Sequence, residues 1–181
     1  MAESKKELRA RYRRDRKLAD SSATFRHLLS APEVQSARCV TSYISIDDEP
    51  STEFINRALL DNGVTLLLPR VCGKELQWVE WKGDKSRIKE TNGLLEPIGL
   101  QRDDISDIDL VIVPALHIDQ SGYRLGQGGG FYDRALPSMP GWKVGLVYAG
   151  ELSSLSLPIE SHDIPLDAAA TPNLIVRFAR N

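Results

Sequence analysis

Cysteine is scarce in this sequence, and its two cysteines, Cys39 and Cys72, lie far apart. That spacing excludes a Cys-x-x-Cys metal or redox motif, and two cysteines do not provide the disulfide framework of a small secreted domain. We therefore expect both to be buried or inert thiols. The histidines, His27, His117 and His162, match no metal-binding spacing either, and structural roles are expected for them.

Long apolar runs and a large excess of charge are also missing. No segment approaches the roughly 18 consecutive apolar residues of a membrane-spanning helix, and the first residues lack the apolar stretch of a signal peptide. The net charge is only −2, which gives no electrostatic reason to expect a nucleic acid or an anionic membrane as the main partner. The sequence predicts a cytoplasmic, monomeric protein whose partners are small molecules.

Basic residues are concentrated near the start of the chain, where the first seventeen residues contain eight lysines and arginines against three acids. This segment is free of Gly and Pro and predicts a helix. Lys5 and Arg9 are four residues apart and so share one helix face, from which both could reach a single triphosphate. Arg13 and Arg16 extend the same stripe. Binding of nucleic acid by this segment stays open as an alternative.

The overall pattern is that of an α/β protein. A chain of 181 residues with 41% hydrophobic and 27% charged residues predicts one globular domain covering residues 1–181. Helices are predicted over 5–29, 52–61 and 131–136, and strands over 39–46, 64–69, 76–81, 108–114, 143–148 and 174–178. This alternation predicts a mostly parallel sheet flanked by helices, with the ligand site at the carboxyl ends of the strands.

The most informative segment is a glycine-rich turn that runs from Arg124 to Asp133 and has glycine at positions 126, 128, 129 and 130. A backbone without Cβ atoms can approach an anion closely, and its successive N–H groups form a concave nest for phosphate oxygens. Arg124 adds a cationic donor, and Asp133 beside phosphates is favourable only with Mg²⁺ between them. The turn therefore predicts a site for the phosphates of ATP with Mg²⁺.

Two common phosphate-binding motifs do not fit this turn. The Gly-Lys-Ser/Thr ending of a P-loop is absent, and Phe131 stands where a dinucleotide-binding fingerprint has its third glycine. An ordinary glycine-rich surface loop would not explain the embedded Arg, Tyr and Asp. We therefore favour an ATP-dependent enzyme outside these two classes.

The segment from Pro114 through the glycine turn to Arg134 closely resembles the 5-formyltetrahydrofolate cyclo-ligase family. Further segments follow the order of that family along essentially the whole chain: Lys5-Lys6-Glu7-Leu8-Arg9, Asp48-Glu49, Leu67-Leu68-Pro69-Arg70, Glu96-Pro97 and His162-Asp163-Ile164-Pro165-Leu166-Asp167. The resemblance implies that ATP phosphorylates the formyl oxygen of 5-formyltetrahydrofolate and that N10 then attacks the activated carbon. The expected products are 5,10-methenyltetrahydrofolate, ADP and phosphate.

The resemblance also implies roles for individual residues. Arg124 and Asp133 are expected to act on the transferring phosphoryl group, and Asp133 and Asp167 to bind Mg²⁺. The implied ATP-binding residues are Lys5, Arg9, Arg124, Leu125, Gly126, Gln127, Gly128, Gly129, Gly130, Phe131 and Tyr132. The implied folate contacts are Ile44, Glu49, Gln127, Gly128, Gly129, Gly130 and Phe131. An ATP-dependent enzyme for another N-formyl or carboxylate compound stays open, because the turn alone does not exclude it.

Overall fold

The computed structural model describes residues 3–179. Its α-helices are α1 (Lys5–Arg16), α2 (Pro32–Gln35), α3 (Glu53–Asp61) and α4 (Phe131–Ala135). Its strands are β1 (Cys39–Thr41), β2 (Thr65–Cys72), β3 (Glu75–Glu80), β4 (Ile88–Thr91), β5 (Leu94–Pro97), β6 (Leu110–Pro114), β7 (His117–Asp119), β8 (Arg124–Leu125), β9 (Trp142–Leu146), β10 (Leu152–Ser153), β11 (Ala168–Ala170) and β12 (Ile175–Arg177). Short 3₁₀ helices cover Arg26–Ser30, Lys85–Arg87, Leu136–Ser138 and Ala149–Glu151.

The main sheet has seven strands in the order β12-β11-β9-β6-β1-β2-β3. The five inner strands run parallel, and β3 and β12 pair antiparallel at the two edges. A small sheet contains β10, β7 and β8, and β4 forms a separate hairpin with β5. The predicted α/β class with a mostly parallel sheet is confirmed.

The hydrophobic core lies on both faces of the main sheet. In β2, Leu66 and Leu68 belong to one apolar cluster and Leu67 belongs to the other. Successive side chains of a strand point to opposite faces, so a strand that is covered on both faces needs a continuous apolar run. This requirement explains why the apolar runs of the sequence predicted the central strands.

The first predicted helix is too long, because α1 ends at Arg16 and not near residue 29. Just beyond it, Asp20 Oδ1 accepts hydrogen bonds from the amide and the hydroxyl of Ser22, at 2.9 and 2.6 Å. A side chain that bonds nearby backbone in this way competes with helical hydrogen bonds. Helical structure resumes only in the 3₁₀ turn Arg26–Ser30.

Strand β1 is shorter than the predicted strand 39–46. The carbonyl oxygen of Tyr43 accepts from Thr52 Oγ1 at 2.6 Å and from Asn56 Nδ2 at 2.9 Å, so side chains near the start of α3 take the place of a neighbouring strand. Thr52 therefore does not cap α3 with its hydroxyl, although it directly precedes that helix. The departure from the sheet carries residues 43–49 over its carboxyl edge.

The alternation of strands and helices is also incomplete. Strands β2 and β3 are joined by a tight turn that contains Gly73 at φ +61°, and not by a helix. Cys39 is buried and Cys72 is exposed, and both are free thiols. Within residues 3–179, no helix has the length and apolar character needed to cross a membrane.

Candidate active site

A cavity of about 350 Å³ opens beside the carboxyl ends of β1, β2 and β6. Tyr43 and Ile44 reach it from the chain that leaves β1, and Pro114 reaches it from the end of β6. The predicted site residues that line it are Lys5, Arg9, Ile44, Glu49 and all of Arg124, Leu125, Gly126, Gln127, Gly128, Gly129, Gly130, Phe131, Tyr132 and Asp133. Asp167 is the predicted site residue that the structure does not bring to this cavity.

Helix α1 presents Lys5 and Arg9 to the cavity. Ser4 and Glu7 fix the start of the helix, because each side chain bonds the backbone amide of the other in a capping box. Lys5 Nζ lies 2.6 Å from Asp163 Oδ2. The amino-terminal helix and a loop near the carboxyl terminus therefore meet across the cavity.

The other arginines of the basic stripe of α1, Arg13 and Arg16, do not line the cavity. Arg16 is 5% exposed, and its Nε lies 2.6 Å from Glu151 Oε1. Arg13 Nε donates to Gln127 Oε1 at 2.8 Å. Arg16 and Arg13 therefore bind groups of the protein itself.

Backbone conformation explains the glycines of the turn. Gly128 has φ +106° and Gly130 has φ +66°, a region that disfavours side chains. A Cβ at Gly129 would lie 2.7 Å from the ring of Phe131. Helix α4 begins at Phe131, as predicted, but has only five residues. The turn itself, and not a long helix, therefore supplies the backbone amides at this end of the cavity.

Arg124 and Asp133 form a largely buried ion pair in the cavity wall. Arg124 Nη2 lies 2.7 Å from Asp133 Oδ1, and the two side chains are 4% and 20% exposed. Arg124 Nε is buried and has no hydrogen-bond partner within the described residues. The pair offers a cationic donor for a phosphate oxygen and a carboxylate oxygen for a divalent cation, side by side.

A polar recess in the cavity contains Glu49, Tyr43 and Tyr132. Burial raises the pKa of the Glu49 carboxyl, although the amide of Ile46 donates to it at 3.1 Å and opposes the rise. The hydroxyls of Tyr43 and Tyr132 are buried and lack partners in the part of the chain that the structure describes. Burial, and next the nearby charge of Glu49, raise the pKa of both phenols. The recess therefore combines two buried phenol hydroxyls with one carboxylate, groups that a polar ligand could satisfy.

The structure separates Asp163 from Asp167. Asp167 directly precedes β11 at the amino edge of the sheet, opposite the cavity, and its Oδ2 accepts from the Lys143 amide at 2.8 Å. Asp163 lines the cavity together with Glu160 and His162, and ligand atoms of these three residues lie within 4.8 Å of one another. Burial acts to raise the pKa of Asp163, but hydrogen bonds from Lys5 and the Glu160 amide outweigh it and lower that pKa.

Sequence reasoning missed Asp163 and Tyr43 as site residues. Asp163 lay in the segment that carried the resemblance, but its contact with Lys5 joins residues that are 158 positions apart and has no local signal. Tyr43 stood within a predicted strand, where its direction depended on where that strand ends.

A comparison with protein families shows to which family the chain belongs. The model of the 5-formyltetrahydrofolate cyclo-ligase family matches residues 3–172. The chain belongs to this family. The match includes α1, the glycine turn and the loop with Asp163, so every part of the cavity lies within the cyclo-ligase region.

Individual cyclo-ligases are similar over most of their length. The 5-formyltetrahydrofolate cyclo-ligase of Mycolicibacterium smegmatis is 33% identical over 147 residues, which cover 76% of this chain and 75% of that protein. The enzyme of the same name from Escherichia coli is 31% identical over 155 residues, covering 82% and 85%. The NMR structure of Aquifex aeolicus 5,10-methenyltetrahydrofolate synthetase matches with a TM-score of 0.83 at 29% identity, covering 98% of this chain and 94% of that one. The family and the fold implied by the sequence motifs are confirmed.

Proposed function

We propose that this chain is a 5-formyltetrahydrofolate cyclo-ligase, which converts 5-formyltetrahydrofolate to 5,10-methenyltetrahydrofolate with ATP as co-substrate. ATP is the co-substrate of the family to which the chain belongs. The observation that carries the proposal is that a single cavity contains both the Arg124–Asp133 pair with the glycine turn and the recess with Glu49. Such a cavity suits a reaction in which two ligands must meet.

The reaction depends on a change of leaving group. An amide-like formyl oxygen leaves poorly, so the γ-phosphoryl group of ATP is first transferred to it and ADP is released. N10 then attacks the formyl carbon and loses its proton, and phosphate departs with the former formyl oxygen as the five-membered ring closes. Phosphoryl transfer of this kind asks the protein mainly for alignment and for stabilisation of charge. No covalent protein nucleophile is required.

The phosphate end of the cavity is formed by the amides of residues 126–130 with Lys5, Arg9 and Arg124. Each charge-assisted hydrogen bond from such a side chain adds roughly 1.5 to 3 kcal/mol. Asp133 Oδ1 holds Arg124 Nη2 at 2.7 Å within the protein itself. A donor that is already oriented stabilises developing charge without the cost of rearrangement.

The folate end of the cavity is the recess with Glu49, Tyr43 and Tyr132. The pterin ring presents N–H donors beside a carbonyl acceptor, and that edge would satisfy the carboxylate and the two hydroxyls together. Ile44 and Phe131 supply apolar surface nearby. The polar groups that have no partner within the described residues support this assignment.

Magnesium fits the acidic side of the cavity. Asp133 and Asp163 both line it, and each is held by one cationic side chain, Arg124 at 2.7 Å and Lys5 at 2.6 Å. Carboxylate oxygens are the protein ligands that Mg²⁺ takes when it binds together with substrate phosphates. We assign Mg²⁺ to Asp133 and Asp163, and not to Asp167 at the opposite edge of the sheet. A bound Mg²⁺ would neutralise charge on the transferring phosphoryl group.

The same proposal describes a cytoplasmic monomer that acts on small molecules. A net charge of −2 supplies no general attraction to nucleic acids or anionic membranes. Light scattering of the active protein should give the mass of one chain, and a dimer would overturn that part of the proposal.

The decisive experiment measures two products at once. Purified protein with Mg²⁺, ATP and 5-formyltetrahydrofolate should generate methenyl absorbance and ADP in equal amounts, and ADP release should stop when the folate is left out. Lack of methenyl absorbance would overturn the proposal. ADP release that requires a different N-formyl or carboxylate compound would establish the alternative substrate class.

A further inference from the structure

The carbonyl side of the glycine turn is held by arginines from two directions. Three hydrogen bonds to backbone carbonyl oxygens hold it. Arg9 Nε donates to Gly126 O at 3.0 Å, Arg13 Nη2 to Gln127 O at 2.8 Å and Arg134 Nη2 to Gly129 O at 3.0 Å. Arg13 Nε also donates to the side-chain oxygen of Gln127 at 2.8 Å, so it holds that residue by backbone and side chain together. Arg134 Nε donates to Lys74 O at 2.7 Å, which ties the turn to the β2–β3 hairpin.

The geometry of the peptide bond determines in which direction the amides of the turn point when its carbonyls are held. The C=O and N–H of a trans peptide point in opposite directions in one plane, and the described chain contains no cis peptide. The N–H groups of Gln127, Gly128 and Gly130 therefore point away from the arginines that hold their peptides. Within residues 3–179 none of these three amides donates to a protein acceptor. The turn thus has held carbonyls on one side and unused amides on the other.

From this arrangement we infer that Arg13 and Arg134 are positioning residues, which orient the amides of the turn toward the phosphates of ATP. The inference rests on the proposed function of the cavity. Neither arginine is among the residues that line it, so both act through Gln127 and Gly129 and not by touching the nucleotide. A segment with four glycines in five positions has unusual backbone freedom, and external contacts must restrict that freedom before binding.

Arg13→Ala tests the inference, with Arg14→Ala as the matched control. Arg14 follows in the same helix, carries the same charge, is exposed, and has no hydrogen-bond or ion-pair partner among the described residues. Loss of the two Arg13 hydrogen bonds should raise the Kd for Mg²⁺-ATP, measured by calorimetry without folate, and the KM for ATP by roughly five- to twentyfold. The values of kcat and of KM for the folate should stay close to wild type, and Arg14→Ala should change none of these quantities.

Further variants separate positioning from simple charge. Arg13→Lys keeps the charge but not the planar fork, so it should remain impaired. Arg134→Ala should raise the Kd and the KM for Mg²⁺-ATP in the same selective way, with little change in kcat or in the KM for the folate. If Arg13→Ala melts well below Arg14→Ala, Arg134→Ala replaces it as the test and must itself raise the Kd for Mg²⁺-ATP selectively.

The outcomes distinguish this inference from the proposed function. Full recovery with Arg13→Lys, or equal Mg²⁺-ATP affinity for Arg13→Ala and Arg14→Ala, would overturn the positioning role while leaving the cyclo-ligase activity intact. A wild-type protein that neither binds Mg²⁺-ATP nor releases ADP would refute the proposed function, and the inference with it.

Discussion

Arg124 combines burial with an unused donor. A buried guanidinium is unfavourable unless negative groups meet it, and Asp133 satisfies only part of it while Nε has no partner in the described chain. Arg124→Ala is therefore expected to raise the KM for ATP roughly ten- to hundredfold, the range that corresponds to one charge-assisted hydrogen bond. The KM for the folate should change much less. Steady-state kinetics with the other substrate saturating measures each value.

Arg57→Ala is the control for this prediction, because Arg57 pairs with Asp61 at 3.1 Å on the exposed surface of α3. Exposed pairs of this kind contribute little to stability. If the two variants had the same KM for ATP, Arg124 would have no role in nucleotide binding.

The Glu49 carboxylate is expected to lower the stability of the protein but to favour binding of the folate. Burial raises its pKa above the ordinary value of 4.5, so the folded protein binds this proton more tightly than the unfolded chain does. Ionisation of Glu49 therefore lowers stability as the pH rises through the elevated pKa. Glu49→Gln should raise the melting temperature at neutral pH, and this gain should shrink as the pH falls through the elevated pKa and be lost below the ordinary value of 4.5. The KM for the folate should increase, because a carboxylate acceptor is lost.

Thermal melts across this pH range test the effect on stability, and kinetics at neutral pH test the effect on the KM for the folate. Glu53→Gln is the control, since the Glu53 side chain is 76% exposed. A gain in melting temperature that did not depend on pH would contradict the assigned cause.

Tyr43 carries a buried hydroxyl without a partner in the described chain, an arrangement that normally costs stability. Tyr43→Phe is expected to leave the free energy of unfolding unchanged or to raise it by up to about 1 kcal/mol. At the same time it should raise the KM for the folate several-fold, because a donor in the recess is removed. Denaturant unfolding and folate kinetics test the pair of effects, with Tyr123→Phe, outside the cavity, as control. A clear loss of stability would show that the hydroxyl already has a partner.

Among the elements, the end of β1 determines where the polar recess with Glu49, Tyr43 and Tyr132 lies. Thr52 Oγ1 donates to Tyr43 O at 2.6 Å and so holds the chain where it leaves the sheet. Thr52→Val removes this bond with little change of shape. We expect a loss of about 1 to 2 kcal/mol in the free energy of unfolding, since a buried hydrogen bond is broken, and a higher KM for the folate. Thr91→Val, the same change in the β4–β5 hairpin, is the control. It should alter neither the free energy of unfolding, measured with denaturant, nor the KM for the folate, measured by steady-state kinetics.

The same elements show what sequence could and could not predict. Strands β2 and β6 were predictable because burial on both faces requires unbroken apolar runs. The early end of β1 was not, because it depends on Thr52 and Asn56 bonding a carbonyl from another element. Strand β11 contains only alanines, which favour helices and give no strand signal. Because the sequence did not predict that strand, it could not predict that Asp167 lies at the amino edge of the sheet.

At the scale of the whole molecule, the site exists only because distant segments meet. Lys5 of the amino-terminal helix contacts Asp163 at 2.6 Å, and Arg9 and Arg13 of the same helix hold the glycine turn. Family motifs predicted Lys5, Arg9 and the glycine turn, because they name residues without needing their positions, but they did not assign Asp163 to the site. Asp163 lines the cavity and Asp167 does not, which depends on three-dimensional placement that the sequence prediction did not capture. A single domain over residues 1–181 stays a prediction.

Asp163→Asn and Asp167→Asn form a matched pair that tests this placement. Asp163 lines the cavity, whereas Asp167 accepts from the Lys143 amide at 2.8 Å on the far side of the sheet. Asp163→Asn should increase the free Mg²⁺ concentration needed for half-maximal activity at least several-fold, because a neutral amide is a poorer ligand for a hard cation. Asp167→Asn should leave that concentration unchanged and lower the melting temperature, because a partly buried contact between the starts of β9 and β11 is weakened. Titration of activity with Mg²⁺ at fixed ATP, together with thermal melts, separates the two, and the reverse pattern would return the magnesium site to Asp167.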